Sequence, residues 1–142
     1  MSSVFRTSRR VEFAETDAAA IAHFASFLRY MEEAEHQLLR SIGWSVMHQL
    51  TSGQHLTWPR VHVECDFQGA ARFEDVLDIA VTVARLGTRS VTYAFQFSLG
   101  EQAVASGKIV AVCCHLTAGG TLAPADIPDE LRAKLQPFVS AS

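Results

Sequence analysis

Asp17 sits in the short loop Glu15-Thr16-Asp17-Ala18-Ala19-Ala20, a few residues ahead of an amphipathic segment. A carboxylate is ionised at neutral pH, so such a residue can attack a carbonyl or take a proton from water. The first-turn N–H groups of the helix that follows, around His23 to Ala25, have no acceptor inside the helix and lie at its positive end. A carbonyl placed there would meet a donor worth roughly 3 kcal/mol in a transition state. Aspartate before a helix also caps the helix or tightens a turn, and the spacing alone leaves both roles open. His23 could orient a carbonyl or a water, or wall a pocket; the plainer role is a polar helix-start residue. Glu32, Glu33 and Glu35 offer further acids on the same helix, but Glu32 and Glu33 fall off its apolar stripe, as a solvated face requires. Thr88, Arg89 and Ser90 set two hydroxyls beside a guanidinium whose fork of donors suits a phosphate, or else they form an exposed turn. His36, His48, His55, His62 and His115 have no HxH or HExxH spacing, so no metal is expected. A Gly-rich phosphate loop and a G-x-S-x-G elbow are both missing.

These residues need elements to hold them. Val4 to Phe13 reads as a first strand, with Val11 and Phe13 on one side. Phe24, Phe27, Leu28, Met31, Ala34, Leu38 and Ile42 recur at helical spacing, and Gly43 marks the stop. Residues 44–57 are mixed and are expected to form a short helix and a loop that, with the helix stripe, lines the substrate pocket. Arg60 to Phe67 alternates as a half-buried strand, with Val61, Val63, Cys65 and Phe67 on one face. Val76 to Leu86 and Ser90 to Leu99 follow, the latter turning at Leu99-Gly100-Glu101-Gln102. Gln102 to Leu116 is apolar or small on both faces, as in a strand covered on both sides. A tail, residues 117–142, carries a short helix over about 129–138. One long helix beside five antiparallel strands, four of them in a meander, implies an α+β domain whose sheet curls round the helix. Its exposed edges predict self-association.

The chain has 142 residues, expected to form a single domain over 1–142. Apolar residues make up 49% and the formal charge is -3, so nothing supplies the broad basic field that nucleic acid needs. Met1 to Arg10 lacks the apolar stretch of a signal peptide, and no run is long enough for a membrane span. Cys65, Cys113 and Cys114 are odd in number without CxxC, which fits reduced thiols and a cytoplasmic location rather than disulfides or zinc.

The segment Val11-Glu12-Phe13-Ala14-Glu15-Thr16-Asp17-Ala18-Ala19-Ala20-Ile21-Ala22-His23-Phe24 and the helix behind it resemble the 4-hydroxybenzoyl-CoA thioesterase branch of hotdog-fold proteins, with its T/C-D-x-x-G-I/V-V loop. Phe67-Gln68-Gly69-Ala70-Ala71-Arg72-Phe73-Glu74-Asp75-Val76-Leu77 is similar to the Y-x-x-P-A-R-x-G-D-x-L element of that branch, and Leu86 to Val91 to its G-x-x-S segment. The likeness runs in order over residues 4–116. Ala20 and Glu74 stand where the family usually has glycine, Ala70 where it has proline, and Phe24 and Ser26 where close relatives often carry His and Asn. The resemblance implies a hotdog fold and hydrolysis of an acyl-CoA thioester. Asp17 would be nucleophile or general base, the Phe24 main-chain N–H the oxyanion donor, and the Thr88-Arg89-Ser90 region the grip on CoA at a subunit interface. Glu32 matches an acid common at its position in the family. Coenzyme A enters as part of the substrate, with no separate cofactor, and the chain is expected to form a dimer or a tetramer. A hotdog dehydratase would want a Pro-Gly after its histidine, which His23-Phe24-Ala25-Ser26 lacks; a catalytically silent acyl-CoA-binding module stays open.

Overall fold

The computed structural model describes residues 2–140. Met1 and residues 141–142, the ends of the expected domain and of its tail, lie outside the described residues. Strand β1 is Phe5–Arg10, shorter than the sequence suggests. After it the chain turns into a 3-10 turn, Phe13–Glu15. Val11 is therefore fully buried while Phe13 is 74% exposed, and the two do not share a face.

Helix α1 spans Phe24–Ser41, and the chain turns out of it at Gly43. Phe27, Tyr30, Met31, Ala34, Leu38 and Leu39 are buried against the sheet. Rings set the fit: Phe27 meets Phe97 and Phe67 edge-on at 5.3 and 5.4 Å. Met31 settles over Gly107, where a Cβ would lie 2.5 Å from its sulfur. Phe24 (65% exposed) and Leu28 (38%) turn outward, so the stripe read from spacing is only partly core. Glu35, not on that stripe, is fully buried.

Four strands join β1 in the main sheet: β4 (Arg60–Phe67), β5 (Val76–Leu86), β6 (Ser90–Leu99) and β7 (Gln102–Val112). The order is β1-β5-β6-β7-β4, all antiparallel. The expected four-strand meander holds for β5, β6 and β7, but β4 pairs with β7 at the far edge. The reason lies in residues 68–75, which cross beside the Asp17 loop (Ala22 N–H to Ala71 O, 2.7 Å) and deliver β5 next to β1. As an edge strand β4 has no neighbour beyond it among the described residues, and Val61, Val63 and Phe67 are exposed rather than half-buried.

A second sheet was not legible in the sequence. Strands β2 (His48–Gln49), β3 (His55–Thr57), β8 (Cys114–Leu116) and β9 (Leu122–Pro124) pair in the order β2-β3-β8-β9. Residues 44–57 contain no helix; Gly53 in the left-handed region makes a hairpin turn instead. The long strand expected over 102–116 breaks at Cys113, whose N–H goes to Arg89 O and whose carbonyl accepts from Ala125. Helix α2, Asp129–Leu135, buries Leu131 and Leu135 and runs into a 3-10 turn, Gln136–Phe138. The architecture is α+β with antiparallel sheets, and among the described residues no helix is long and apolar enough to cross a membrane.

Candidate active site

The loop before α1 is a small hairpin. Thr16 bridges Ala22, the Asp17 N–H donates to Ile21 O at 2.9 Å, and the Ala20 N–H returns to Asp17 O at 2.9 Å. Ala20 adopts φ +64°, the left-handed region that usually takes glycine. Alanine has kept the backbone turn here and carries its strain. Glu74, the second position where glycine is usual, likewise sits at φ +78°.

Asp17 is half-buried, and its Oδ1 accepts the Ala19 N–H at 2.8 Å. One carboxylate oxygen thus tightens the turn, and the other has no protein partner among the described residues. Asp17 does not cap α1. The cap is His23, whose Nδ1 accepts the Ala25 N–H at 3.0 Å and whose ring stacks on Phe24 at 4.4 Å. That assigns His23 a definite structural role at the helix start. The amides from His23 to Ala25 lack a carbonyl partner within α1, as expected, but two of them find acceptors elsewhere. The His23 N–H donates to Glu15 O at 2.8 Å, the Ala25 N–H to the His23 ring, and the Ser26 N–H to His23 O at 2.9 Å. The Phe24 N–H is left without an acceptor among the described residues.

Asp17 and Phe24 line one cavity of about 150 Å³, together with Ile21, Ala22, Phe27, Phe67 and Gly69 to Ala71. Its walls are almost wholly apolar apart from the carboxylate. A cavity lined by an aspartate, by a helix-start residue with a spare backbone N–H and by three phenylalanines can bind a planar or aliphatic acyl group and act on its carbonyl. No residue of 44–58 takes part; Trp44, Leu56 and Trp58 are core instead. The far wall comes from Phe67 and residues 69–71, which residue chemistry alone did not single out. The signal was present in the motif-like stretch from Phe67 to Leu77, which is apolar or small where it meets the cavity.

Thr88, Arg89 and Ser90 do not line this cavity. They form the turn into β6, and the C-terminal segment fastens it: Ile127 N–H to Thr88 O at 3.0 Å, and the Arg132 guanidinium to Gly87 O at 2.6 Å and Thr88 O at 3.3 Å. The Arg89 side chain is 57% exposed and its Nε donates to Asp126 at 2.8 Å.

The helix acids separate cleanly. Glu32 is exposed, and Glu33 pairs with Arg9 at 2.8 Å. Glu35 is buried beside Arg60, 2.7 Å away, with its second oxygen unpartnered among the described residues. Burial pushes its pKa up to about 7 against the pull of Arg60. None of the three lines the Asp17 cavity. Among the described residues no group of three or more His, Cys, Asp or Glu side chains could hold a metal ion, and the three cysteines are free thiols.

Residues 11–135 match the family model of the thioesterase-like superfamily. A 1,4-dihydroxy-2-naphthoyl-CoA hydrolase of Synechococcus elongatus is 25% identical over 93% of this chain and 95% of its own length. One from Synechococcus sp. strain RCC307 is 34% identical over 68% of this chain and 76% of its own. Among solved structures, the 1,4-dihydroxy-2-naphthoyl-CoA thioesterase from Synechocystis superposes with a TM-score of 0.81 at 25% identity, covering 94% of this chain and 96% of that one.

Proposed function

From the premise that this chain belongs to the thioesterase-like superfamily, we propose that it hydrolyses an aromatic acyl-CoA thioester at Asp17. The observation that carries the reading is the shared cavity. Asp17, with one carboxylate oxygen unpartnered among the described residues, and Phe24, with its N–H unused there, both line one largely apolar cavity together with Phe27 and Phe67. The carboxylate attacks the thioester carbonyl, or takes the proton of a water that does so. The Phe24 N–H takes the developing negative charge on the carbonyl oxygen. If the carboxylate attacks, the C–S bond breaks, CoA leaves as its thiolate and water hydrolyses the acyl–Asp17 anhydride; if it deprotonates a water, that water forms the acid directly as the thiolate leaves. Nothing in these steps asks for a metal or a further cofactor. The substrates of the relatives, hydroxylated naphthoyl thioesters, favour an aroyl group, and the phenylalanines that line the cavity suit one.

The exposed Arg89, flanked by Thr88 and Ser90, takes the CoA phosphates. A second copy of the chain joins along the β4 edge, where free strand groups and the exposed Val61, Val63 and Phe67 would otherwise meet water. Replacing Val63 with Asp should then yield a monomer by light scattering.

Release of free thiol from a panel of aroyl- and alkanoyl-CoA esters tests the central claim, with a no-substrate control for the chain's own half-buried Cys65. Wild type should release thiol fastest from aroyl esters, and Asp17→Asn should lose at least about a hundredfold in kcat. Equal rates for the two would remove Asp17 from the chemistry. Binding of CoA esters by both without turnover would leave a silent binding module.

A further inference from the structure

Glu15 lies two residues before Asp17, and both its backbone and its side chain tie the acid-bearing loop to the rest of the fold. Its carbonyl accepts the His23 N–H at 2.8 Å and the Ser26 hydroxyl at 3.0 Å, both at the start of α1. Its carboxylate is 16% exposed and takes four donors. Arg9 from β1 grips it with both terminal nitrogens, at 2.9 and 2.6 Å. The Glu12 N–H donates at 2.8 Å and the Tyr30 hydroxyl of α1 at 2.9 Å. Arg9 is itself held by Glu33 of α1 at 2.8 Å and lies over the Tyr30 ring at 5.0 Å. Burial works to raise the Glu15 pKa, but the bonds from Arg9, Glu12 and Tyr30 outweigh it and hold the group below the ordinary carboxylate value.

The geometric consequence concerns two atoms. The Asp17 carboxylate and the Phe24 N–H sit at opposite ends of residues 17–24. That segment is closed at its base by the Thr16–Ala22 bridge and by the His23 bond to Glu15 O. Any shift of Glu15 moves the loop that carries the acid relative to the helix that carries the amide. Aligning two groups on one reacting carbonyl tolerates little displacement, since about 1 Å can cost on the order of a hundredfold.

We propose that Glu15 is a positioning residue: clamped between Arg9 and Tyr30, it holds Asp17 and the Phe24 N–H at the separation the reaction needs. This rests on the function proposed above. Glu15 does not line the cavity, so its loss should act on kcat and leave KM alone.

The test is a double-mutant cycle on thiol release from an aroyl-CoA, with circular dichroism confirming the fold of each variant. Glu15→Gln keeps an acceptor oxygen for Tyr30 and Glu12 but loses the ion pair with Arg9. Its kcat should fall about tenfold with KM within about twofold of wild type. In the Asp17→Asn background the same change should cost less than about twofold, because there is no acid left to position. Equal losses in both backgrounds, a loss confined to KM, or an unchanged kcat in Glu15→Gln would each overturn the proposal. If Glu15→Gln does not fold, Arg9→Lys, which keeps the charge but not the two-nitrogen grip, takes its place with the same expected split. An inactive Asp17→Asn beside a fully active Glu15→Gln sinks this inference alone. An active Asp17→Asn sinks the catalytic reading together with it.

Discussion

Ala20→Gly should stabilise this protein, against the usual rule that glycine weakens a chain. Ala20 sits at φ +64° in an exposed turn. A left-handed backbone costs an L-residue about 1–2 kcal/mol, while glycine carries about 0.4–1 kcal/mol of extra unfolded-state entropy. The net gain is about 0.5–1 kcal/mol. Glu74→Gly follows the same arithmetic at φ +78°, and it removes no bond: the Glu74 interactions run through its backbone, N–H to Val11 O and carbonyl to Arg10. A 142-residue chain has an unfolding entropy of about 0.3 kcal/mol/K, so each change should raise Tm by about 2–3 °C. The internal control is Ala18→Gly in the same exposed turn. Ala18 is not among the left-handed residues, so glycine there should lower stability by about 0.5–1 kcal/mol. Urea midpoints and calorimetry on the three single variants decide it. A Tm for Ala20→Gly at or below that of Ala18→Gly would refute the claim that the loop stores strain at this backbone. Thiol release by Ala20→Gly should stay within about twofold of wild type, since the hydrogen bonds that aim Asp17 are all retained.

Three other outcomes follow from particular contacts. Glu35, raised by burial to about 7 from an unfolded value of 4.5, holds an extra proton in the folded state between those pH values. Stability should therefore fall as pH rises from 4.5 through 7, and denaturant titrations of Glu35→Gln should lack that slope. Gly107→Ala places a methyl 2.5 Å from the Met31 sulfur and 2.8 Å from Glu64 O, so it should destabilise by about 1–3 kcal/mol in the same titrations. Asp126 occupies the Arg89 guanidinium that the CoA phosphates are proposed to take. Asp126→Asn should lower KM for an acyl-CoA about two- to fivefold at low salt, and leave KM for the matching acyl-pantetheine unchanged.

Local pattern carried much of the molecule. The apolar spacing from Phe27 to Leu38 marks α1, the alternation from Ser90 to Leu99 marks β6, and Gly43 and Gly100 mark their ends. Periodicity reports which residues are apolar, not what will cover them. That is why Phe24, Leu28 and the Val61, Val63 and Phe67 face read as core yet stand exposed in the single chain. The short strands from 48 to 57 escaped notice because pairs of two and three residues have no period to detect.

The site divides the same way. Asp17 in a turn before a helix could be picked out because the loop residues and the helix start are neighbours in sequence. Whether it capped that helix could not be decided from spacing. The ring of His23 reaches the same amides, and only the folded loop shows that it takes the Ala25 N–H and leaves that of Phe24 without an acceptor among the described residues. Glu15 and Ala71 have their effect through partners far along the chain, Arg9 and Tyr30 for one and the Ala22 amide for the other. Sequence alone determined the types of residue, the order of the long elements and the place of Asp17 in a loop just ahead of α1, since propensity and periodicity act over a few residues. Tertiary structure decided which amide stayed free, which glutamate was buried and which strand became an edge, because hydrogen bonds and burial are allotted by whatever the fold brings near.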